Sequence, residues 1–212
     1  MKKQKKIRMQ KDIKNIIFDL GGVLVGLDGQ RCIDAFMKIG GDKIADVIRR
    51  HQSESLFLDT EVGNITPAIF CDRIREMSGL DLSNKAILWA WNELMTGIPT
   101  QKIIRLLKLR KRYKVYLLSN TNDMHWQKCA DDFFPFAGHV VADYFDDVFL
   151  SYELHQLKPS EAIFKTVLER AGIGAATTLF IDDSAENCAS AGALGIQTFL
   201  NESPDDWLQL PL

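Results

Sequence analysis

The sequence predicts an α/β fold in which a doubly wound parallel sheet carries a small bundle of inserted helices. Short apolar runs of strand length alternate with helical patterns over most of the chain, and this alternation is typical of βαβ units with parallel strands. One long segment near the start departs from it, because its apolar residues recur only with helical spacing. With 212 residues, of which 46% are apolar, the chain is long enough for both parts.

The predicted strands are short apolar runs that suit burial on both faces of a sheet. The first, at residues 15–19, ends in an acid and is followed directly by a turn, because Gly21 and Gly22 interrupt it. Later strands are predicted at residues 113–119, 148–151, 178–182 and 197–200, and the helices between them at residues 101–111, 123–133, 159–171 and 185–194.

The segment from residue 31 to about residue 97 is predicted to form roughly four amphipathic helices that pack as a bundle on the core. Trp91 lies on the apolar stripe of the last helix and is interpreted as a core residue. The role of Trp89, which lies off that stripe, stays open between a pocket and the surface. The four stripes are Ile33, Phe36 and Ile39; Ile44, Val47 and Ile48; Ile65, Ala68, Ile69 and Ile74; and Ile87, Ala90, Trp91, Leu94 and Met95.

Composition and charge argue against several classes of partner. The formal net charge of -2 gives no general attraction to nucleic acid or to anionic membranes, so neither is expected as a partner. The basic start, residues 1–12, is interpreted as a solvated tail. No apolar stretch has the length of a membrane span or follows the tail as a signal peptide would. The cysteines lack CxxC or zinc-ligand spacing, so a cytoplasmic setting and buried reduced thiols are expected for Cys32, Cys71, Cys129 and Cys188.

Polar residues stand where the predicted strands end. Because ligands of open α/β sheets bind outside the carboxyl ends of the strands, these residues are expected to converge on one site. Taken singly, each has a local alternative as a turn residue, a helix cap or a surface lysine. Two adjacent carboxylates at the mouth of a buried strand, however, repel each other unless a cation is present. The residues are Asp19, Ser119, Asn120, Asp182 and Asp183, with Lys158 just before a helix.

Four segments in order, IIFDLGGVLV, LLSNTND, LKPSEAIF and TLFIDDSAENCASAGALG, resemble the motifs of the haloacid dehalogenase-like hydrolases. The resemblance covers nearly all of residues 13–200, and the helical insert lies where that superfamily places its C1 cap. FDLGGVL and SYELxxxKP are similar to the branch containing bacterial glucose-1-phosphate phosphatases and the N-terminal phosphatase-like domain of epoxide hydrolase. The implied organisation is a Rossmann-like core of residues 13–27 and 98–200, a cap of residues 28–97, and a C-terminal tail, residues 201–212, that packs on the core.

The resemblance implies a magnesium site. Asp19 would be the nucleophile that forms an aspartyl-phosphate, which water then cleaves. Mg²⁺ would be held by the Asp19 carboxylate, the Gly21 carbonyl and Asp183, with Asp182 acting through water. Asn187 would orient the acidic pair.

The resemblance also implies a phosphate cradle. Ser119, Asn120 through its backbone, and Lys158 would bind the non-bridging oxygens, where positive charge stabilises the transferring phosphoryl group. The implied substrate is a small phosphorylated metabolite, and the cap would set its identity. The sequence leaves that identity and the oligomeric state open.

The sequence departs from the family pattern at three places. Gly21 stands where most phosphatases of the superfamily carry a second Asp as general acid and base, so esters with good leaving groups, such as sugar 1-phosphates, are expected to react best. Asp28 or a cap residue is the proposed substitute for that acid. KPSE replaces the usual KPDP. His155 replaces the usual Gly and is open between a substrate contact and a surface loop.

Three alternatives compete with the phosphatase interpretation. A haloacid dehalogenase also uses an Asp nucleophile and lacks the second Asp, but its chemistry needs no metal, so the pair Asp182 and Asp183 argues against it. A catalytically silent binding domain conflicts with the intact set of polar residues. A phosphomutase lacks a group at Gly21 to shuttle the proton.

Overall fold

A computed structural model of the protein describes residues 12–49 and 55–212. Most of the predicted basic tail and the side chains of Val47 and Ile48 lie outside the part described. The strands are β1 (Asn15–Phe18), β2 (Gly26–Leu27), β3 (Met95–Gly97), β4 (Lys114–Ser119), β5 (Asp147–Leu150), β6 (Thr178–Asp182) and β7 (Gln197–Leu200).

Five of these strands form a parallel sheet in the order β5-β4-β1-β6-β7. Strand β1 lies at its centre, fully buried, and pairs with β4 on one side and β6 on the other. Its side chains alternate, so Ile16 and Phe18 enter the apolar cluster on one face while Ile17 enters the cluster on the other. A sheet covered on both faces needs continuous apolar strands, which is the pattern the sequence shows. The predicted α/β fold is confirmed.

The insert between β2 and β3 is helical. Its largest buried side chains, Phe36, Phe70 and Trp91 among them, form an apolar cluster separate from the two that flank the sheet. Where roughly four helices were predicted from the periodicity, the structure has five in the described part of the insert. They are α1 (Gly29–Lys38), α2 (Asp42–Arg49), α3 (Ser55–Glu61), α4 (Pro67–Ser78) and α5 (Asn84–Asn92).

The core helices surround the sheet. Helix α7 continues into a turn of π-helix at Cys129–Phe133, so the single helix predicted for residues 123–133 is one continuous helical segment with a change of pitch. Helices α8 and α9 are short and were not predicted. The core helices are α6 (Thr100–Arg110), α7 (Asp123–Lys128), α8 (Val141–Tyr144), α9 (Ser151–Leu154), α10 (Glu161–Ala171) and α11 (Ala185–Ala193).

The last predicted stripe of the insert was extended too far. Helix α5 ends at Asn92, and Met95 instead begins β3, which pairs antiparallel with β2. The two strands are the places where the chain leaves and re-enters the core, and the Asp28 N–H donates to the Leu94 carbonyl beside them at 2.8 Å. Pairing between distant segments therefore overrides a helical period that the local sequence continues.

The predicted stripe of α4 was also wrong in part. Ala68 and Ile69 are exposed, and the buried face consists of Phe70, Cys71 and Ile74. The Thr66 hydroxyl accepts from the Ile69 N–H and starts the helix there, which fixes Ala68 and Ile69 on its first, outward-facing turn.

The C-terminal segment lies against the core. Trp207 is completely buried and meets the ring of Phe18 edge-on, with centroids 4.8 Å apart. Arg105 on α6 donates to the carbonyls of Leu210 and Leu212 at 2.9 and 3.0 Å. All four cysteines are buried and free of disulfides. In the described ranges, no helix combines the length and apolarity that a membrane crossing requires.

Candidate active site

Asp19 lies at the carboxyl end of the central strand. Its backbone N–H donates to the Ile181 carbonyl on β6 at 2.9 Å, so strand pairing continues up to the residue itself. The residue is only 8% exposed. The nucleophile proposed from sequence is therefore held by the sheet rather than by a mobile loop.

Lys158 reaches Asp19 from the loop before α10. Its Nζ donates to Asp19 Oδ1 at 2.7 Å, to Asp182 Oδ2 at 2.7 Å and to the Leu118 carbonyl at 3.1 Å. Burial lowers the pKa of Lys158, but the two carboxylates outweigh it and the net shift is upward. The ammonium is therefore retained and is a fixed part of the site, not a solvated surface charge.

Asp182 ends β6 and is completely buried. Besides Lys158, its carboxylate accepts from the Ser184 N–H at 2.8 Å and from Asn187 Nδ2 at 3.0 Å. Ser184 caps the helix that carries Asn187, since its hydroxyl accepts from the Asn187 N–H. Asn187 therefore contacts Asp182, one member of the acidic pair, and its orienting role stays a prediction.

Asp183 lies opposite the turn that follows Asp19. Gly22 has a left-handed φ of +72°, and a Cβ placed there would be 2.1 Å from Asp183 Oδ2. Glycine, which has no Cβ, allows these two segments of the chain to approach so closely. As a result, oxygens of Asp19, Asp182 and Asp183 lie within 4.8 Å of one another.

The charges of this cluster do not balance. Three carboxylates face the single ammonium of Lys158, which leaves a net negative charge in a site where two of the carboxylates are buried. Burial raises the pKa of Asp19 to about 6, with Lys158 opposing the rise and Asp182 adding to it. Burial and the charge of Asp182 also raise the pKa of Asp183. Oxygen ligands with uncompensated negative charge are what a divalent hard cation requires.

The two polar residues after β4 have different surroundings. Ser119 is buried at the strand end beside the Lys158 contact to Leu118. The Asn120 side chain is paired with the backbone of Lys158, because its Oδ1 accepts from the Lys158 N–H and its Nδ2 donates to the Lys158 carbonyl, both at 2.9 Å. This side chain positions Lys158, so a phosphate contact from Asn120 would have to come from its backbone.

Position 21 faces the hinge of the insert. A Cβ on Gly21 would lie 3.0 Å from Cδ1 of Leu27, whose side chain is half exposed. Asp28, the proposed substitute acid, caps α1: its Oδ1 accepts from the N–H groups of Gln30 and Arg31 at 3.0 and 3.1 Å. The carboxylate thus has a local structural use, and its role as a proton donor stays a prediction.

Residues 13–195 match the sequence profile of the haloacid dehalogenase-like hydrolases. The chain belongs to this family. The resemblance inferred from the four ordered motifs is confirmed.

Relatives of this hydrolase cover it almost from end to end. A D-ribitol-5-phosphate phosphatase of Bacteroides thetaiotaomicron is 34% identical over 93% of the chain and 96% of its own length. A family enzyme from the same organism, solved in complex with magnesium and inorganic phosphate, is 48% identical, with a TM-score of 0.90 over 94% of this chain and 100% of its own. A predicted family hydrolase of Porphyromonas gingivalis is 31% identical, with a TM-score of 0.84 over 93% and 95% of the two chains.

L-2-haloacid dehalogenases share the fold only. The one from Xanthobacter autotrophicus is 19% identical, with a TM-score of 0.57 over 88% of this chain and 76% of its own. At this identity the likeness supports the architecture of the hydrolase and says nothing of its chemistry.

The helical insert, referred to below as the cap, contacts the short helix α9, which precedes the loop that carries Lys158. The Ser151 hydroxyl is fully buried, 2.7 Å from the Glu61 carbonyl of the cap, and accepts from the Thr121 N–H of the core at 2.9 Å. Gly63, with φ +74°, lies so close that an added Cβ would be 2.1 Å from the Tyr152 carbonyl.

His155 completes this docking contact. Its Nδ1 lies 2.7 Å from the Val62 carbonyl, and since a carbonyl only accepts, Nδ1 carries the hydrogen. The residue adopts a left-handed φ of +53°, a conformation that glycine adopts more easily than histidine. Its observed partner is the cap backbone, and sequence reasoning had no signal for that contact.

A second cap contact was also missed. The ring of His125 stacks on Trp91 at 4.8 Å and 14°, with Nε2 3.2 Å from the Trp91 carbonyl and Nδ1 3.1 Å from Asn122 Nδ2. The first contact needs a donor and the second an acceptor, so the imidazole is neutral with its hydrogen on Nε2. Burial lowers the pKa of His125 to about 4, in agreement with that state. Trp91 is buried as predicted, whereas Trp89 is 43% exposed.

Proposed function

We propose that this hydrolase is a Mg²⁺-dependent phosphatase that removes phosphate from small phosphorylated sugars or polyols by attack of Asp19. The observation that carries the proposal is the cluster of Asp19, Asp182 and Asp183 around the buried ammonium of Lys158. Family membership supports a hydrolase, and the phosphatase at 34% identity supports a phosphate ester as the substrate.

The residues present fit a magnesium ion. Asp19 and Asp183 offer carboxylate oxygens, and the Gly21 carbonyl lies on the turn between them, while Asp182 is engaged by Lys158 and Asn187 and would act through water. The relative solved with magnesium and phosphate supports the same ion here. When bound, Mg²⁺ would lower the repulsion between the carboxylate nucleophile and the anionic ester.

The chain's own groups supply the remaining chemistry. Lys158 fixes one oxygen of Asp19 at 2.7 Å, which orients the carboxylate for in-line attack on phosphorus. The bond from phosphorus to the ester oxygen breaks as the aspartyl-phosphate forms, and water then cleaves that intermediate. Lys158 and Ser119, both buried, stabilise the charge on the non-bridging oxygens.

Two observations favour different substrates within this class. The substrate named for the phosphatase relative carries its phosphate on a primary hydroxyl of a polyol. A primary alkoxide is a strong base and therefore a poor leaving group. The absence of an acid at Gly21 instead favours sugar 1-phosphates, whose anomeric oxygen leaves more easily. No partner other than a small-molecule ester is proposed. The cytoplasmic setting stays a prediction.

A substrate panel separates these possibilities. Ribitol 5-phosphate, glucose 1-phosphate, glucose 6-phosphate and p-nitrophenyl phosphate are incubated with the enzyme in Mg²⁺ or in EDTA. Turnover is expected only with Mg²⁺, and Asp19→Asn, nearly isosteric but without the nucleophile, should lose at least about a thousandfold in kcat while keeping its thermal stability.

Each contrary outcome points to a named alternative. Equal turnover in EDTA, or release of chloride from 2-chloropropionate, would favour the dehalogenase. A folded protein that neither hydrolyses any ester nor binds Mg²⁺ would favour the silent binding domain. An Asp19→Asn variant that retains substantial kcat would show that a different residue attacks.

A further inference from the structure

The turn that follows Asp19 is held from outside by three side chains. Within the turn, the Gly22 N–H donates to the Val25 carbonyl at 2.9 Å, but the carbonyls of Gly22 and Val23 have no partner in the turn itself. Val23 O accepts from Lys102 Nζ at 2.6 Å and from Trp207 Nε1 at 3.2 Å. Gly22 O accepts from Asn201 Nδ2 at 3.4 Å.

A lysine is unusual at position 102 because the position is buried. It lies on α6 among the buried residues Ile103 and Leu106, where an apolar side chain would pack without cost, yet it is only 2% exposed. Its nearest carboxylate is Asp205, at 3.7 Å, and that side chain is mostly exposed. Burial lowers the pKa of Lys102 more than Asp205 raises it. A buried ammonium at this place is explained by the carbonyl that it satisfies.

The other two donors are tied to each other and to β6. Asn201 Oδ1 accepts from the Trp207 backbone N–H at 3.1 Å, and the Asn201 N–H donates to the Asp182 carbonyl at 2.8 Å. Trp207 also packs edge-on against Phe18, the residue before the nucleophile. Asn201 therefore connects the strand that ends in Asp182 to the turn that follows Asp19.

We propose that Lys102, Asn201 and Trp207 are positioning residues that set the conformation of residues 20–25 and so aim the Gly21 carbonyl at the divalent cation. The inference rests on the proposed Mg²⁺ site and adds to it three residues that lie outside the four sequence motifs of the family.

The physical argument comes from the backbone of the turn. Gly21 O lies on the same planar peptide as the Gly22 N–H, which donates to the Val25 carbonyl, so the direction of Gly21 O depends on where residues 22–25 lie. The outside donors to the carbonyls of Gly22 and Val23 help to fix that position. Adjacent glycines have the largest backbone freedom, and Gly22 already adopts a conformation that few other residues tolerate. Inside the turn, the Leu24 and Val25 N–H groups donate to the Leu20 carbonyl at 2.9 and 2.8 Å. Without the outside donors, the carbonyls of Gly22 and Val23 would be left free to rotate, and the direction of Gly21 O would be less tightly fixed. Groups that orient metal ligands typically change metal affinity by about 10–100-fold when removed.

The test measures Mg²⁺ affinity rather than turnover. Lys102→Met removes the ammonium and keeps the chain length, and Trp207→Phe removes the indole N–H while keeping an aromatic ring against Phe18. Isothermal titration calorimetry with Mg²⁺ alone is expected to give a Kd raised about tenfold in each variant. Leu109→Ala serves as the matched control, because Leu109 is buried on the same helix and contributes no side-chain hydrogen bond to the turn. It should lose thermal stability and keep its Mg²⁺ Kd within about twofold.

Two results would overturn the inference. One is a Kd within twofold of wild type in folded Trp207→Phe, and the other is a control that weakens Mg²⁺ binding as much as the two variants do. Should Lys102→Met not fold, Trp207→Phe decides alone. Failure of the proposed function is seen separately in the wild type: Mg²⁺ binding without phosphatase turnover refutes the function and leaves the positioning claim intact, whereas a wild type that does not bind Mg²⁺ refutes both.

Discussion

The carboxyl edge of the sheet and the junction between cap and core are held in place by different kinds of contact. At the sheet edge, charged side chains contact one another directly, as Lys158 does with Asp19 and Asp182 at 2.7 Å. At the cap junction, core side chains contact the cap backbone. Ser151 and His155 lie against the carbonyls of Glu61 and Val62.

This difference has a consequence for specificity. A contact to a backbone carbonyl does not depend on which side chain the cap residue carries, so Glu61 and Val62 can change their side chains and remain docked. Gly63 and Trp91 are exceptions, because a side chain at position 63 would meet the Tyr152 carbonyl and the Trp91 ring stacks on His125. The charged edge has less freedom, because its contacts are made by the side chains themselves, and replacing Lys158 leaves Asp19 and Asp182 without their shared cation. We therefore expect the core to fix the chemistry and the side chains of the cap to choose the substrate.

The largest effect is expected from breaking the charged edge. Lys158→Met should lower kcat/KM by about 10²–10³-fold, since one donor to the transferring phosphoryl group is lost. It also leaves Asp19 and Asp182 facing each other without a cation. The matched control is Lys165→Met, seven residues further along on α10, where the lysine is exposed and pairs only with Glu161 in the part of the chain described. A loss below tenfold for Lys158→Met, or an equal loss in the control, would make Lys158 a structural residue only.

The contrast between the two regions also explains what the sequence could predict. Asp19, Asp182 and Asp183 could be proposed for one site because parallel strands align their carboxyl ends and each of these residues follows an apolar run. Lys158 was included because it precedes a predicted helix on the same side of the sheet. Strands β6 and β7 were placed at their observed bounds for the same reason. The fold and the charged cluster are thus properties of local pattern.

The cap junction could not be predicted in this way. Ser151, His155 and His125 act through carbonyls of residues far away in sequence, and a carbonyl is present at every position, so no residue type marks the partner. Strand β3 was missed because pairing with β2 overrides a helical period that continues through Met95. Lys102 could not be identified from the sequence, because most lysines on helices are solvated.

The pH dependence of stability tests the cap junction. The pKa of His125 is about 4 in the folded protein, below the ordinary value of 6.5, so between these values the unfolded chain binds more protons. Stability should therefore be full above about pH 7 and fall with pH, by about 3 kcal/mol from this residue once pH 4 is reached. The effect of Asp19 on the pH dependence of stability has the opposite sign. Its pKa is raised to about 6, so between pH 4 and pH 6 the folded state binds more protons than the unfolded chain.

The contribution of His125 is isolated by difference. His125→Gln keeps a donor for the Trp91 carbonyl and does not titrate. Urea unfolding of both proteins at pH 4.5 and 7.5 should show a smaller loss of stability on acidification in the variant. If both lose the same free energy, the stack of His125 on Trp91 has no part in acid sensitivity.

The smallest effect is expected where the two regions meet, at Gly21 and Leu27. Gly21 does not have a left-handed φ, so a side chain is permitted by the backbone, but its Cβ would lie 3.0 Å from Leu27 Cδ1. Leu27 is half exposed and able to move, which makes Gly21→Asp a tolerable change.

The new carboxyl should act as general acid for poor leaving groups, with a gain of about tenfold in kcat/KM, below the ~10²–10⁴ of an evolved acid. Adding Leu27→Ala should increase that gain, because the carboxyl then has room to reach the ester oxygen.

The measurement is log kcat/KM against the pKa of the leaving group for a series of aryl and alkyl phosphates. A steep slope in the wild type that becomes shallower in Gly21→Asp, and shallower again in the double variant, would place the missing acid at this position. A wild-type slope that is already flat would mean that a proton donor is present, and Asp28→Asn would then be the next variant to measure.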